Sequence, residues 1–472
     1  MGRLYEELIS YSKDNVYPLH MPGHKRVSNK LFNDDILDEI YKIDITEIDG
    51  FDNLHDANGL IKESMANAAR LYKSQYTGFL VNGSTVGILS AISAVTKEND
   101  TIIIARNCHK SVYNAAYLNK LNVEYLYPEF DEEYDINGPI TVTEVLDKIK
   151  KVKNSGFRIA AVVITSPTYD GVVSDIKNIA IKLHEENIAL IVDEAHGAHF
   201  GFNEKYPENS VSYADIVIHS VHKTLPAPTQ TALIHINSDI ISCDEVLKYL
   251  KIYQTSSPSY VLMAGIDRCM DILDTEGYEK LDTLYYYRKY IMSELSELDN
   301  IRICPYTEPG KLVISVKGLN ITGLELSKIL RNKYSLEVEM SQGSYVLAIL
   351  TMMDTKDGIN RLINAIKEID KDLSVKNVNN TFDIKAYICK ENEVKIPYHK
   401  AIDMESYTVS LSKANGLVSA DYINLYPPGY PIVVPGEVIN NKLISLLEDH
   451  LDNGYTVQGI KEGNIRVIKW ES

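Results

Sequence analysis

Between about residue 57 and residue 236, short apolar runs alternate with amphipathic stretches, and this alternation restricts the chain to a mostly parallel sheet covered by helices. The runs Ile102–Ala105, Val123–Tyr127, Ala160–Thr165, Ala189–Val192, Ile216–Ser220 and Thr231–Ile236 have strand length, are mostly rich in β-branched residues and stop at polar residues. Between them, Val142–Val152 and Ser174–Glu186 gather their apolar residues on one helical face. In such a sheet, ligands sit beyond the carboxyl ends of the strands. Three polar clusters follow directly on apolar runs: Asn107-Cys108-His109-Lys110-Ser111, Asp193-Glu194-Ala195-His196 and Ser220-Val221-His222-Lys223. They are predicted to face one cleft.

At 472 residues the chain exceeds one ordinary core, and the pattern divides it into four parts. An N-terminal arm covers 1–56, a large α/β domain 57–276, a small α/β domain 277–375 and a C-terminal α+β domain 376–472. The last is entered through the polar stretch Lys376–Thr381 and contains Tyr426-Pro427-Pro428-Gly429-Tyr430-Pro431.

Composition narrows the function. A net charge of −17 opposes nucleic-acid binding, which relies on clustered Lys and Arg, and weakly favours the approach of cationic metabolites. There is no uninterrupted apolar run of about 18 residues, and the acidic start with Glu6 and Glu7 is unlike a targeting peptide, so a cytoplasmic protein that does not engage membranes is expected. Cys108, Cys243, Cys269, Cys304 and Cys389 lack CxxC spacing and read as reduced thiols.

Lys223 follows an apolar strand between His222 and Thr224. A lysine desolvated at a strand end has a lowered pKa and can attack an aldehyde, although a lysine at an edge is more often solubilising. Asp193 ends another strand, where a carboxylate can pair with a protonated ring nitrogen, cap a helix or ligate a metal. Asn82-Gly83-Ser84-Thr85-Val86-Gly87 precedes an apolar helix; its small residues and hydroxyls suit a phosphate at the helix N-terminus, or an ordinary cap. His109 opens a helix and can either stack on a flat cofactor or cap. His20 with His24 and His196 with His199 have spacings used by metal ligands, but Pro22 and Gly23 forbid a helix at the first pair, and no metal site is predicted.

Together with His20-Met21-Pro22-Gly23-His24-Lys25, Asp44-Ile45-Thr46-Glu47, Pro427-Pro428-Gly429 and Pro435-Gly436-Glu437, these clusters resemble the bacterial Orn/Lys/Arg decarboxylases, in order, from about residue 16 to 470. The resemblance implies a fold type I, aminotransferase-like enzyme with a seven-stranded sheet carrying helices on both faces, and with pyridoxal 5′-phosphate (PLP) as cofactor. It implies that Lys223 forms the Schiff base, that Asp193 partners the pyridine nitrogen, that His109 stacks on the ring and that His196 sits beside the Schiff base. Ser84, Thr85, Ser220 and His222 would contact the phosphate, and Thr255, Ser256 or Ser257 the phosphate of a neighbouring subunit. Larger members carry an N-terminal wing domain that helps build decamers; likeness to the short, wingless members implies a homodimer or tetramer with active sites at the dimer interface. The implied reaction is decarboxylation of arginine, lysine or ornithine to a polyamine-type amine. Glu47, Asp49, Asp52 and Glu437 are candidates, by residue type, to receive the substrate's distal cation. An aminotransferase or lyase of the same fold is the alternative, with Arg302, Arg331 or Arg361 available for a carboxylate.

Overall fold

The computed structural model describes residues 3–14, 22, 40–375, 392–426, 431–452 and 456–469. His20, His24, Lys376–Thr381, Cys389 and Pro427-Pro428-Gly429 lie outside them.

Seven strands form the main sheet: β1 (Tyr76–Leu80), β2 (Thr101–Ala105), β3 (Asn122–Leu126), β4 (Ile159–Thr165), β5 (Ala189–Asp193), β6 (Ile216–His219) and β7 (Ala232–Ile236), in the order β1-β7-β6-β5-β4-β2-β3. Pairs β2/β3, β2/β4 and β5/β6 are parallel, whereas β7 runs antiparallel to both β6 and β1. The sheet is mostly parallel, as the alternation requires. Strands β2, β5, β6 and β7 are buried at every residue, which is why they read as unbroken apolar runs rather than alternating ones. The strand that periodicity did not isolate is β1, because Gly78 interrupts a run of only five residues.

The chain divides into two units. One comprises Met1–Ala94, Ile191–Thr283 and Thr351–Met353, the other Val95–Leu190, Leu284–Leu350 and Asp354–Ser472. In the first unit, the helix Gly83–Val95 lies close over β1 and β6: a Cβ on Gly87 would come within 2.7 Å of Leu80 and 3.2 Å of Ile218, so no larger residue fits without displacement. One helix, Tyr260–Glu294, runs through residue 276.

In the second unit, a four-stranded antiparallel sheet is built around Lys311–Ser315 and Tyr345–Ile349. The helix Gly323–Tyr334 starts at a capping box in which Thr322 and Glu325 each receive the other's backbone N–H. The helix Lys356–Lys371 buries Ile359, Leu362, Ile363, Ile366 and Ile369, the three-and-four spacing of a single apolar face. Small sheets follow, Ser406–Ser410 with Asn464–Ile468 and Pro431–Val433 with Ile423–Tyr426 and Thr456–Gln458. Their core, centred on Val433, Ile439 and Leu447, is separate and apolar.

Candidate active site

Strands β5 and β6 are parallel neighbours, with Asp193 opposite Ile218, so the turns that follow them emerge at the same edge of the sheet. Asp193 is buried, and its Oδ1 accepts the backbone N–H of Ala195 at 3.2 Å, an Asx-type bond that fixes the carboxylate over its own turn. After β6 the chain makes a single helical turn, Val221–Thr224, in which the Lys223 N–H donates to the Ser220 carbonyl at 3.1 Å. This turn presents Lys223, whose Nζ lies 3.2 Å from Nε2 of the buried His196. His222 places Nδ1 2.7 Å from the Thr231 carbonyl, so Nδ1 carries the proton. Burial, and then the charge of Lys223, hold this imidazole below the ordinary histidine range and favour its neutral form.

A second element of the same unit is the loop after β1. Gly83 has φ +76, in the left-handed region where a side chain is strained, and the helix Gly83–Val95 begins there with no acidic residue in its first turn. Its amides therefore keep their positive potential uncancelled. Ser84 is half-buried and Thr85 exposed on this turn. The turn is braced from outside: Gln254 Oε1 accepts the Val81 N–H at 2.8 Å, Gln230 Nε2 donates to the Val81 carbonyl, and Asn82 Oδ1 accepts the Thr255 N–H at 3.2 Å. Thr255 and Ser256 are exposed. Gln254 carried no motif signal, since a side chain that caps a strand end from a distant helix has no local spacing to reveal it.

The Ser220 hydroxyl is fully buried and has no hydrogen-bond partner among the described residues, and the Thr224 hydroxyl is in the same position. An unsatisfied buried hydroxyl costs about 1–3 kcal/mol. A donor left at a strand end, beside an amine and a carboxylate, fits a phosphate-bearing aldehyde cofactor. The donor set of this unit thus suits PLP.

His109 belongs to the second unit. It is exposed, caps the helix Lys110–Leu118, and its Nδ1 receives the Ser111 hydroxyl at 2.8 Å and the Ser111 N–H at 3.3 Å. His199 packs edge-on to Phe200 and Tyr206.

Two of the residues proposed for the distal cation are committed elsewhere. Glu437 is buried and bidentate to Arg106, with Oε1 2.7 Å from Nη1 and Oε2 2.8 Å from Nη2. Asp52 accepts the backbone N–H groups of Asn53, Asn58, Gly59, Ile61 and Lys62, and so caps the helix Leu60–Tyr72. Asp49 is exposed, and Glu47, half-buried, keeps Oε1 buried without a partner among the described residues. The arginines of the aminotransferase alternative are also engaged: Arg331 with Glu337, Arg361 with the carbonyls of Tyr334 and Ser335, and Arg302 with Glu133 at 3.7 Å.

Known proteins resemble this chain in sequence and in fold. The model of the Orn/Lys/Arg decarboxylase major domain matches residues 3–285, and that of the Orn/Lys/Arg decarboxylase C-terminal domain matches residues 386–453. The arginine decarboxylase of Bacillus subtilis (strain 168) is 30% identical over 488 residues, covering 99% of this chain and 97% of the relative. Among solved structures, the lysine decarboxylase LdcF of Francisella novicida has a TM-score of 0.87 at 21% identity, over 99% of this chain and 81% of that one. The ureidoglycine-glyoxylate aminotransferase of Bacillus subtilis has a TM-score of 0.54 at 14% identity, over 67% of this chain and 86% of that one. No helix among the described residues is long and apolar enough to cross a membrane.

Proposed function

The chain belongs to the Orn/Lys/Arg decarboxylase family and is an amino-acid decarboxylase, and from that premise we propose that it removes the α-carboxylate of arginine, lysine or ornithine with PLP carried on Lys223. The observation that carries this reading is the Lys223 amine, 3.2 Å from His196, on the strand end next to that of Asp193. PLP, when bound, supplies an electron-withdrawing ring that accepts the electron pair left at Cα as CO₂ departs.

The protein's part is binding, orientation and proton control. Lys223 Nζ holds the cofactor's aldehyde carbon covalently. The Asp193 carboxylate, held over its turn by the Ala195 N–H, keeps a proton on the ring nitrogen, an electrostatic contribution of roughly 3–4 kcal/mol by comparison with other preorganised charge partners. Ser220, Ser84 and Thr85, with the amides that open the helix Gly83–Val95, receive the phosphate, joined by His222 once the phosphate's own negative charge brings a proton to Nε2 and makes that nitrogen a donor. The family resemblance gives His109 the task of covering one face of the ring. His196 Nε2 shares a proton with Lys223 Nζ, so one of these two groups returns a proton to Cα after CO₂ leaves. The exposed Thr255 and Ser256 meet the phosphate site of a second copy in a homodimer or tetramer. Glu47, whose buried Oε1 has no partner among the described residues, takes the distal cation of the substrate.

Borohydride reduction of the PLP-loaded protein, followed by peptide mapping, is expected to place the pyridoxyl label on Lys223. Incubation with an equimolar mixture of the three amino acids is expected to give CO₂ with agmatine, cadaverine or putrescine. A label on another lysine, or keto-acid in place of CO₂, would overturn the proposal.

A further inference from the structure

Immediately after Asp193 begins a chain of buried polar groups that decarboxylation itself does not use. Glu194 is 1% exposed; its carboxylate accepts the Ser210 N–H at 3.1 and 3.2 Å and the Ser210 hydroxyl at 2.6 Å, and meets His219 Nε2 at 2.7 Å. His219 Nδ1 lies 3.0 Å from His235 Nε2, and His235 Nδ1 lies 2.8 Å from the Thr77 hydroxyl, itself 2.7 Å from that of the half-buried Ser74. The groups stand on or beside β5, β6, β7 and β1 in turn. Tyr72 lies against both imidazoles, with ring centroids 4.9 and 4.5 Å away, and donates its hydroxyl to the Ala198 carbonyl at 2.6 Å.

For stability alone this is a poor arrangement. A carboxylate and two imidazoles taken out of water lose several kcal/mol of hydration per ion, and apolar residues of similar size would serve the core as well or better. The return is geometric. Glu194 stands between Asp193 and His196 in the turn after β5; His219 ends β6, one residue before Ser220 and four before Lys223. Their contact is a direct side-chain tie between the two turns that carry the proposed chemistry. It also tolerates either protonation of His219. A neutral ring donates from Nε2 to Glu194 and accepts at Nδ1 from His235, while a protonated ring donates at both nitrogens and a neutral His235, accepting at Nε2, donates from Nδ1 to the Thr77 hydroxyl. No nitrogen is left unpaired in either arrangement.

We propose that Glu194 and His219 are positioning residues of the active site, whose buried hydrogen bond fixes the turn after β5 against the turn after β6 and so sets the Lys223–His196 separation. The inference rests on Lys223 being the cofactor-bearing amine. Small displacements matter here, since misplacing a reacting group by about 1 Å costs on the order of 100-fold in rate.

The test compares full-length, PLP-loaded variants by urea midpoint, by kcat and KM, and by the pH midpoint of the visible band that PLP acquires on joining a lysine. E194Q is expected to lower kcat by roughly 10- to 100-fold with KM changed less than about threefold, and to shift the pH midpoint of the band. E194M/H219L removes both polar partners together; it is expected to recover most of the wild-type urea midpoint while keeping the loss in kcat and the shifted band. H219Q keeps a donor for Glu194 and is expected to retain at least about ten times the kcat of H219L. The inference is overturned if the double variant regains kcat and band midpoint along with stability, if H219Q and H219L are alike, or if E194Q keeps the wild-type kcat and band. Failure of the underlying assignment would appear instead in the wild-type protein, as a missing label on Lys223.

Discussion

Replacing Glu437 by glutamine keeps the side chain's shape, removes its charge and turns one acceptor oxygen into a donor, which breaks the Arg106–Glu437 pair without emptying its volume. Arg106 leaves the end of β2 and is 5% exposed at the side chain; Glu437, in the C-terminal region, is 1% exposed. The guanidinium also donates to the Ile432 carbonyl at 2.8 Å and lies 4.6 Å over the Tyr125 ring, and the carboxylate accepts from the Val434 N–H at 3.0 Å and Asn392 Nδ2 at 2.9 Å. The pair is therefore held by several charge-assisted bonds, and both groups are buried away from water. Glu437→Gln leaves a buried guanidinium without its counter-charge, a loss of about 3–5 kcal/mol. At 1.36 kcal/mol per tenfold, the locally open form of this region becomes on the order of 10²–10⁴ times more populated. Hydrogen exchange at the Val434 amide, which donates to the lost carboxylate, reads that population directly, and a lower urea midpoint is the bulk measure. R106M/E437L, with no buried charge, is expected to lie much nearer the wild type than E437Q. A Val434 exchange rate within tenfold of wild type in E437Q, or a double variant as unstable as the single one, would refute the reasoning.

Gly83→Ala introduces a side chain at φ +76 into open space, the nearest atom being the Gln230 carbonyl at 4.0 Å, so its cost of about 1–2 kcal/mol is backbone strain; equilibrium dialysis is expected to show weaker PLP binding with the helix content unchanged. Asp52→Ala removes the acceptor for the amides at the start of the helix Leu60–Tyr72, lowers stability by about 1–2 kcal/mol and leaves KM for the amino acid unchanged, because Asp52 is a cap and not a substrate contact. Burial tends to raise the Asp52 pKa, but the backbone donors outweigh it and the net shift is downward, so its stabilisation is present above the ordinary carboxylate range and fades in acid denaturation as pH falls. Asp170 behaves oppositely. Burial pushes its carboxyl up from 3.8 to about 6, against the pull of the Tyr345 hydroxyl and Lys311, so the folded state binds a proton that the unfolded state has released. Its stability contribution is complete below pH 3.8 and is lost as pH rises through about 6; urea titrations should show the stability of Asp170→Asn relative to wild type increasing by up to ~3 kcal/mol across that interval, and a flat difference would contradict the assignment.

The strand ends were legible because residues buried on both faces leave unbroken apolar runs, and the polar residue that stops each run lies at the sheet's edge. Asp193 after Ala189–Val192 and Lys223 soon after Ile216–Ser220 were located in that way. Periodicity does not reveal which strand ends are neighbours. That β5 lies beside β6, and that His196 meets Lys223, follows from sheet order, in which partners distant in sequence carry no common spacing. The same limit explains Glu437, which residue type alone offered to a substrate cation. Its partner Arg106 stands 331 positions away. A carboxylate's chemistry is decided by its counter-ion, and the sequence contains no local trace of one.

Adjacent residues at these strand ends divide the work between the two sides of the sheet. Successive side chains of a strand point to opposite faces, so an acidic pair at a strand end sends one carboxylate each way. Asp193 bends over its own turn toward Ala195, while Glu194 turns to His219 and Ser210 in the interior. At the end of β6 the division repeats: His219 joins the buried chain, and the next residue, Ser220, keeps its hydroxyl without a partner among the described residues. Asp193→Glu and Glu194→Asp are therefore unequal changes. Lengthening Asp193 breaks its 3.2 Å bond to Ala195 and moves the carboxylate relative to the cofactor, which should appear as a lower kcat at unchanged urea midpoint. Shortening Glu194 opens the 2.7 Å contact with His219 and should lower both, because that contact lies in the core as well as behind the site.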